Sequence, residues 1–469
     1  MADAPALTAD FPPATEADWR ALVDKTLGEA PFSSLEKATV EGMPITPLYA
    51  PAATPQAPAR VVPADRAWEV ATLTAHPDRA RANAEILGDL RGGAAAAVLR
   101  IDPTGKAGVA IGSAADLTRA LDGVILEFAA VALDAGFLGP RAAEWLGAVA
   151  KASPTALVRF QLDPLSAYAE AGASPGPIEA HATVAAEVAA GLAETYPKAP
   201  LFLASGRVVH EAGGGEAGEV AFAAAAAIAY AKAMVEAGLS IARAFDAVTL
   251  SLSADADYFL TIAKLRAARA VWARIAAAAG ADPTARIEAR SSRRMLTAKD
   301  AWTNMIRLTA AGFGAAVGGA DTVILGNLTD ALGLPTEFGR RQSRNAQLVL
   351  MEEAHIGRVA DPAAGSGYVE ALTDKIARAA WTEFQAIEAR GGIAAALAAG
   401  HIARGVEAAK AARPEPRIIG VTAFPPAKDT PVEVEIAAAK PAAAPSPRLP
   451  GPDSACPPLK PTRISEAFE

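Results

Sequence analysis

From about Ala94 onward, short β-rich runs alternate with longer Ala-rich stretches of helical period. Eight runs stand in order: AAAAVLRI, GVILEF, TALVRFQL, PLFLAS, AFDAVTLSLS, ARIEARSS, TVILGN and GRVADP. Their apolar bias suits strands covered on both faces, as in a parallel sheet. Helix starts punctuate the intervals: Ser113 precedes AADLTRAL, Pro140 precedes RAAEWLGAV, and Thr297 has Asp300 three residues on. Eight successive βα units predict an α/β fold of the closed (β/α)8 TIM-barrel type rather than an open doubly wound sheet, with any chemistry on the loops that follow the strands.

The flanks follow other patterns. Thr15 with Asp18 forms a capping-box variant ahead of Trp19, Leu22, Val23 and Leu27 at helical spacing. Residues 32–66 are rich in Pro and Thr and read as an extended arm. That arm carries Phe32, Leu35, Met43, Ile45, Leu48 and Tyr49 without the periodicity to bury them locally. Exposed, they would cost about 25 cal/mol per Å² of apolar area, so a partner surface is expected there. Beyond Ala412 a Pro/Ala-rich tail cannot form a core of its own and must lie extended or against something else. The chain divides into a helix and dimerisation arm (1–66), a barrel (67–412) and a tail (413–469).

Composition narrows the function. Hydrophobic residues make up 52% of the 469, enough for a sizeable core, while a net charge of −8 without a dense Lys/Arg cluster excludes a nucleic-acid footprint. The single cysteine, Cys456, rules out an internal disulfide framework. The N-terminus lacks the basic start and apolar run of a signal peptide. The apolar stretch VAFAAAAAIAYA stops at Lys232, short of the roughly 20 residues that span a bilayer. A cytoplasmic protein with no membrane partner is expected.

Three segments carry candidate chemistry. VADPAAGSGY (359–368) resembles the glycine turn of amino-methyltransferases, but its NPPY companion is missing, and a tight turn after the last run accounts for it. HEAGGGEAGE places His210 after the fourth run, where a histidine could act as a general acid oriented by Glu211, or could cap a helix or sit satisfied in the core. RSSRR (Arg290 to Arg294) could pair with phosphates or form a solvated basic loop. Neither HxH nor HExxH occurs, which argues against a metal site built from histidines.

Longer strings decide more. FSSLEKATVEGMPITPLYAP, WEVATLTAHPDRARANAEIL and the segment Leu296 to Trp381, beginning LTAKDAWTNMIRLTAAGFGAAVGGADTVILGN, resemble methylmalonyl-CoA mutases over most of residues 30–420. The resemblance implies a (β/α)8 barrel that holds acyl-CoA and a separate flavodoxin-like domain that holds cobalamin; this sequence ends where that domain would begin. It also implies a cobalt-ligating Asp-x-His-x-x-Gly motif. Two positions before His76, His181, His210, His355 and His401 stand Thr74, Glu179, Val208, Glu353 and Ala399, so none of the five fits.

The departures extend to the active site. Where catalytic mutase chains carry W-x-I-R-Q-Y-A-G-F, this chain reads WEVATLTAH, with Leu73 in the tyrosine place. S-G-Y-H-M-Q-E-A-G becomes SGRVVHEAG, with Val208 at the histidine that meets the thioester carbonyl. T-Q-S-L-H-T-N becomes ADTVILG, placing Asp321 and Ile324 where Gln and His stood, and the substrate-gripping arginine has no clear match in QLDPLSAYAEAGASPGP. Losing one transition-state contact costs orders of magnitude in rate, so their joint loss leaves little catalysis. The pattern resembles the non-catalytic small subunit of heterodimeric mutases. It implies no cofactor in this chain, adenosylcobalamin in a large catalytic partner, and a role in assembly and stability. The competing readings are an active acyl-CoA-processing barrel using His210 or the RSSRR loop, and an unrelated barrel or methyltransferase.

Overall fold

The computed structural model describes residues 14–442 and 454–469, apart from Gln56, Ala59, 63–65 and Pro154. The first 13 residues of the arm region and 443–453 of the tail lie outside the described residues. Eight parallel strands line up as β1 (Glu69–Thr74), β2 (Ala96–Arg100), β3 (Ala130–Asp134), β4 (Val158–Arg159), β5 (Phe202–Ser205), β6 (Val248–Ala254), β7 (Ile287–Ser291) and β8 (Thr322–Ile324). Their order is β4-β3-β2-β1-β8-β7-β6-β5. The ring closes between β4 and β5 through a Leu162/Phe202 bridge, where the Leu203 N–H donates to the Leu162 carbonyl at 3.1 Å. Helices between the strands complete a (β/α)8 barrel.

Two of the eight expected runs are not strands. GVILEF turns through Gly123 (φ +74°) and leaves Ile125 and Phe128 exposed. The strand follows it as AVALD, where Ala130 and Ala132 form part of a small-residue patch inside the barrel. GRVADP is a loop, bent at Gly357 (φ +116°) and tied down by Asp361 to Arg266 at 2.9 Å. The missing member of the ring is EVATLT, so PLFLAS is the fifth strand and not the fourth.

Local chemistry explains the helices. Thr15 and Asp18 form the expected capping box, Ser113 caps Ala114–Ala120, and Pro140 opens Gly139–Ala150. Thr297 does not cap: its N–H donates to Asn304 Oδ1 at 3.0 Å, and the helix starts only at Asn304. Helix Glu216–Glu236 is the one described helix long and apolar enough to cross a membrane, but 67% of that apolar window is buried, and it packs on β5 and β6 as a core helix.

Both flanks wrap the barrel. Arm residues 39–50 lie on it, contrary to the expectation of an unburied arm: Met43 packs with Ala263, Ala267, Leu372 and Ile376, and the Tyr49 ring meets Tyr368 at a tilt, 5.4 Å between centroids. Helix Glu16–Leu27 has no buried residue, and its Trp19 meets Phe32 edge-on at 6.0 Å. The tail circles the C-terminal face. Its Asp429 accepts from the Asp300 N–H, Glu435 N–H donates to Leu334, and Ala442 N–H donates to Pro103. After 443–453, Leu459 N–H donates to Ala169, Thr462 N–H to Glu211 and Ile464 N–H to Arg294.

Candidate functional site

In a parallel barrel, alternate residues of each strand point inward. Here many of those positions are charged or polar. Near the N-terminal ends, Arg159 pairs with Glu69 and donates to Thr322 Oγ1 at 3.1 Å. One layer higher, Glu288 takes the Gln161 amide at 2.7 Å, the Ser251 hydroxyl at 3.1 Å and Arg290 Nε at 2.7 Å. Arg290 continues to Asp134 at 3.0 Å, and Arg100 joins the same carboxylate at 3.3 Å. A ladder of ion pairs and hydrogen bonds therefore climbs the barrel axis.

Gln161 reaches that layer with its backbone in the left-handed region (φ +49°), a conformation a non-glycine residue holds only when its surroundings fix it. Gln161, Ser251 and Glu288 are buried. They separate a lower cavity of about 620 Å³, at the N-terminal ends, from two upper lobes of about 380 Å³ each at the C-terminal mouth. No lining residue of the lower cavity also lines either upper lobe.

Electrostatics follow from this packing. Burial alone would raise Asp134, but the Arg100 and Arg290 guanidinium groups outweigh it and hold its carboxyl below the usual range. Asp163, on the wall of the first lobe, has no such cation. Burial lifts it to about 7 against the pull of Tyr230, whose hydroxyl donates to it at 2.6 Å, and of Ser166.

The degenerate positions are brought together in part. Leu73 and Ile324 line the second lobe and Val208 the first, so three stand at one mouth. Asp321 lies at the opposite end, on the lower cavity, paired with Arg269 at 2.9 Å. It cannot meet a ligand that touches the other three.

His210 is fully buried and lines neither lobe. Its Nε2 lies 3.0 Å from Asp255 and 3.1 Å from Ser292 Oγ, and its Nδ1 lies 3.4 Å from Glu219, which also holds Lys264 at 2.6 Å. This histidine is buried behind the strands, hydrogen-bonded through Nε2 with Nδ1 facing Glu219 without a hydrogen bond, and it does not stand at the mouth. Glu211 does not orient it; its carboxylate accepts from the Arg293 N–H at 3.2 Å. In RSSRR, Arg290 and Arg294 are committed internally, Arg294 to His210 O, Gly214 O and Asp255, and only Arg293 is exposed at the mouth.

For the imidazole-ligated cobalamin that the sequence resemblance implies, the mouth offers no free histidine. His76 alone among the histidines lines the mouth, and both its nitrogens are taken: Nδ1 by the Asp78 N–H at 3.1 Å and Nε2 by Glu435 at 3.2 Å. Among the described residues no group of histidine, cysteine and acidic side chains could hold a metal ion.

Fold and mouth define a (β/α)8-barrel protein whose axis is closed by side chains and whose C-terminal face is girdled by its own tail. The methylmalonyl-CoA mutase family model matches residues 92–446. The methylmalonyl-CoA mutase small subunit of Streptomyces virginiae is 37% identical over 473 residues, covering 94% of this chain and 75% of that protein. That of Propionibacterium freudenreichii subsp. shermanii is 36% identical over 438 residues, covering 87% and 67%. The methylmalonyl-CoA mutase of Escherichia coli (strain K12) is 29% identical over 435 residues, covering 84% of this chain and 61% of its own length. The chain belongs to the methylmalonyl-CoA mutase family.

Proposed function

We propose that this chain is the small subunit of a heterodimeric, cytoplasmic methylmalonyl-CoA mutase, and that it supports assembly of a large subunit which carries adenosylcobalamin and performs the rearrangement between methylmalonyl-CoA and succinyl-CoA. The observation that carries the reading is the closed axis. The hydrogen-bonded Gln161, Ser251 and Glu288 side chains lie across the axis along which a long, thin acyl-CoA would have to pass. Leu73 and Val208 also offer the mouth no proton donor where catalytic chains place a phenol and an imidazole. The names of the Streptomyces and Propionibacterium relatives point the same way.

The partner surface suggested by the structure is narrower than the arm as a whole. Residues 39–50 serve this barrel, whereas helix Glu16–Leu27 and the turn Phe32–Leu35 keep Leu22 (65% exposed) and Leu35 in solvent. Permanent interfaces bury such apolar surface. Co-expression with a cobalamin-binding large subunit tests this: the intact chain co-purifies, and a chain lacking residues 1–35 does so less tightly. Deleting 1–50 weakens the complex too but also strips Met43 from the barrel, so it reports less cleanly. Failure of the intact chain to co-purify would defeat the subunit reading, and equal retention of the shortened chain would remove the arm from the interface.

A further inference from the structure

The tail meets the barrel in two different ways. Its last part is held by burial: Ser454, Cys456, Leu459 and Ser465 are buried, and Cys456 and Leu459 belong to the main hydrophobic core. From Asp429 to Ala442, by contrast, no residue is buried, and Ile436 is 93% exposed. Among the described residues two backbone hydrogen bonds tie this stretch down, Glu435 N–H to the Leu334 carbonyl at 2.9 Å and Ala442 N–H to the Pro103 carbonyl at 2.7 Å. Pro431 and Pro441 have no N–H to add.

The remaining contacts are charged, and they converge on one turn, residues 76–81, just past β1. Glu435 accepts from Arg81 Nε at 3.1 Å and Nη2 at 2.8 Å, the two-pronged geometry of a strong guanidinium pair. His76 accepts the Asp78 N–H at Nδ1, so its proton sits on Nε2, which faces the same Glu435 carboxylate at 3.2 Å. Lys440 reaches Asp78, the residue that caps helix Arg79–Arg91. Arg81, with His76 behind it, holds the Glu435 carboxyl below its usual range, and Lys440 with the capped N–H groups lowers Asp78 to about 2. Neither pair is sealed from water, since the Arg81 side chain is 38% exposed and that of Lys440 64%. Salt screens exposed pairs and does not weaken buried apolar contacts, so the two parts of the tail respond differently to ionic strength. His76, Gly333 and Leu334, which this stretch touches, also line the second lobe.

We propose that residues 429–442 form a releasable strap, held by charge to the 76–81 turn, which lifts from the rim of the second lobe while the barrel and the buried end of the tail stay folded. No large subunit enters this inference, so its failure would leave the co-purification result untouched. The test is hydrogen exchange of the full chain, read by mass spectrometry at low and at high sodium chloride, with diethyl pyrocarbonate labelling of His76 as a second readout. Raising the salt is expected to speed exchange in peptides spanning 430–442 and labelling of His76, while peptides of β6 and of 456–465 stay protected. Glu435→Gln keeps the shape and removes the charge. It is expected to raise both rates by about tenfold at low salt, the order of one charged hydrogen bond, and to make them less sensitive to salt. Lys440→Met, at an exposed position, leaves the Arg81 contact intact and is expected to act in the same direction more weakly. Strap exchange and His76 labelling that ignore both salt and substitution would overturn the proposal, as would release that occurs only together with loss of protection in the barrel.

Discussion

Arg290 is the residue on which the closed axis turns. It holds Glu288 and Asp134 at once; Arg290 and Glu288 are buried, while Asp134 stands on the wall of the first lobe. Removing one member of a buried ion network costs about 3–5 kcal/mol. Arg290→Met is therefore expected to lower the free energy of unfolding by that order in a denaturant titration. Asp163 makes a different prediction. Its pKa is raised in the folded state, from 3.8 to about 7, so the stability it contributes is present below pH 3.8 and is lost as pH rises through 7. Asp163→Asn keeps an acceptor for the Tyr230 hydroxyl without the titration. Melting of the variant from pH 4 to 8 should show a flatter decline than wild type, and an unchanged decline would reassign that pH dependence to other groups. Leu73→Tyr together with Val208→His should not create isomerase activity, because restoring two side chains at the mouth does not open the axis beneath them.

At the scale of elements, the arm is pinned where Glu41 accepts from the Ala217 and Gly218 N–H groups, both at 2.9 Å, at the start of helix Glu216–Glu236. Those donors have no intrahelical partners of their own. Glu41→Ala should cost about 1–2 kcal/mol, as loss of a capping acceptor does, and should make residues 36–50 more susceptible to limited proteolysis. Unchanged cleavage would show that Met43 and Tyr49 hold the arm unaided. The same elements show what was legible in the sequence. Strands such as VTLSLSA and IEARS announced themselves through β-branched and apolar runs. AVALD was hidden because alanine is depleted in strands generally, yet the inner wall near β2 and β3 takes small residues. GVILEF carried the stronger signal and proved to be the loop beside it. The mouth was legible where a family string could be laid over it, at Leu73, Val208 and Ile324, and in the basic run RSSRR, which places Arg290 and Arg293 there. Arg100, Asp134 and Gln161 could not be singled out: each matters through partners brought close by barrel closure, as with Gln161 and Glu288, which are 127 residues apart. His210 was the opposite case, a conspicuous residue at the end of a strand that folding turns into the core.

For the whole molecule, the closed axis and the tail around the mouth favour a barrel kept as a scaffold over one kept as a reaction vessel. The unburied helix Glu16–Leu27 supplies a surface through which such a scaffold would act on a partner. The most direct test is a methylmalonyl-CoA isomerisation assay with added adenosylcobalamin, run on the purified chain alone and on its complex with the large subunit. The account predicts turnover by the complex and none by the chain alone, with no corrinoid spectrum retained by the chain through gel filtration. Isomerisation by the isolated chain, or a corrinoid that stays with it, would contradict the account.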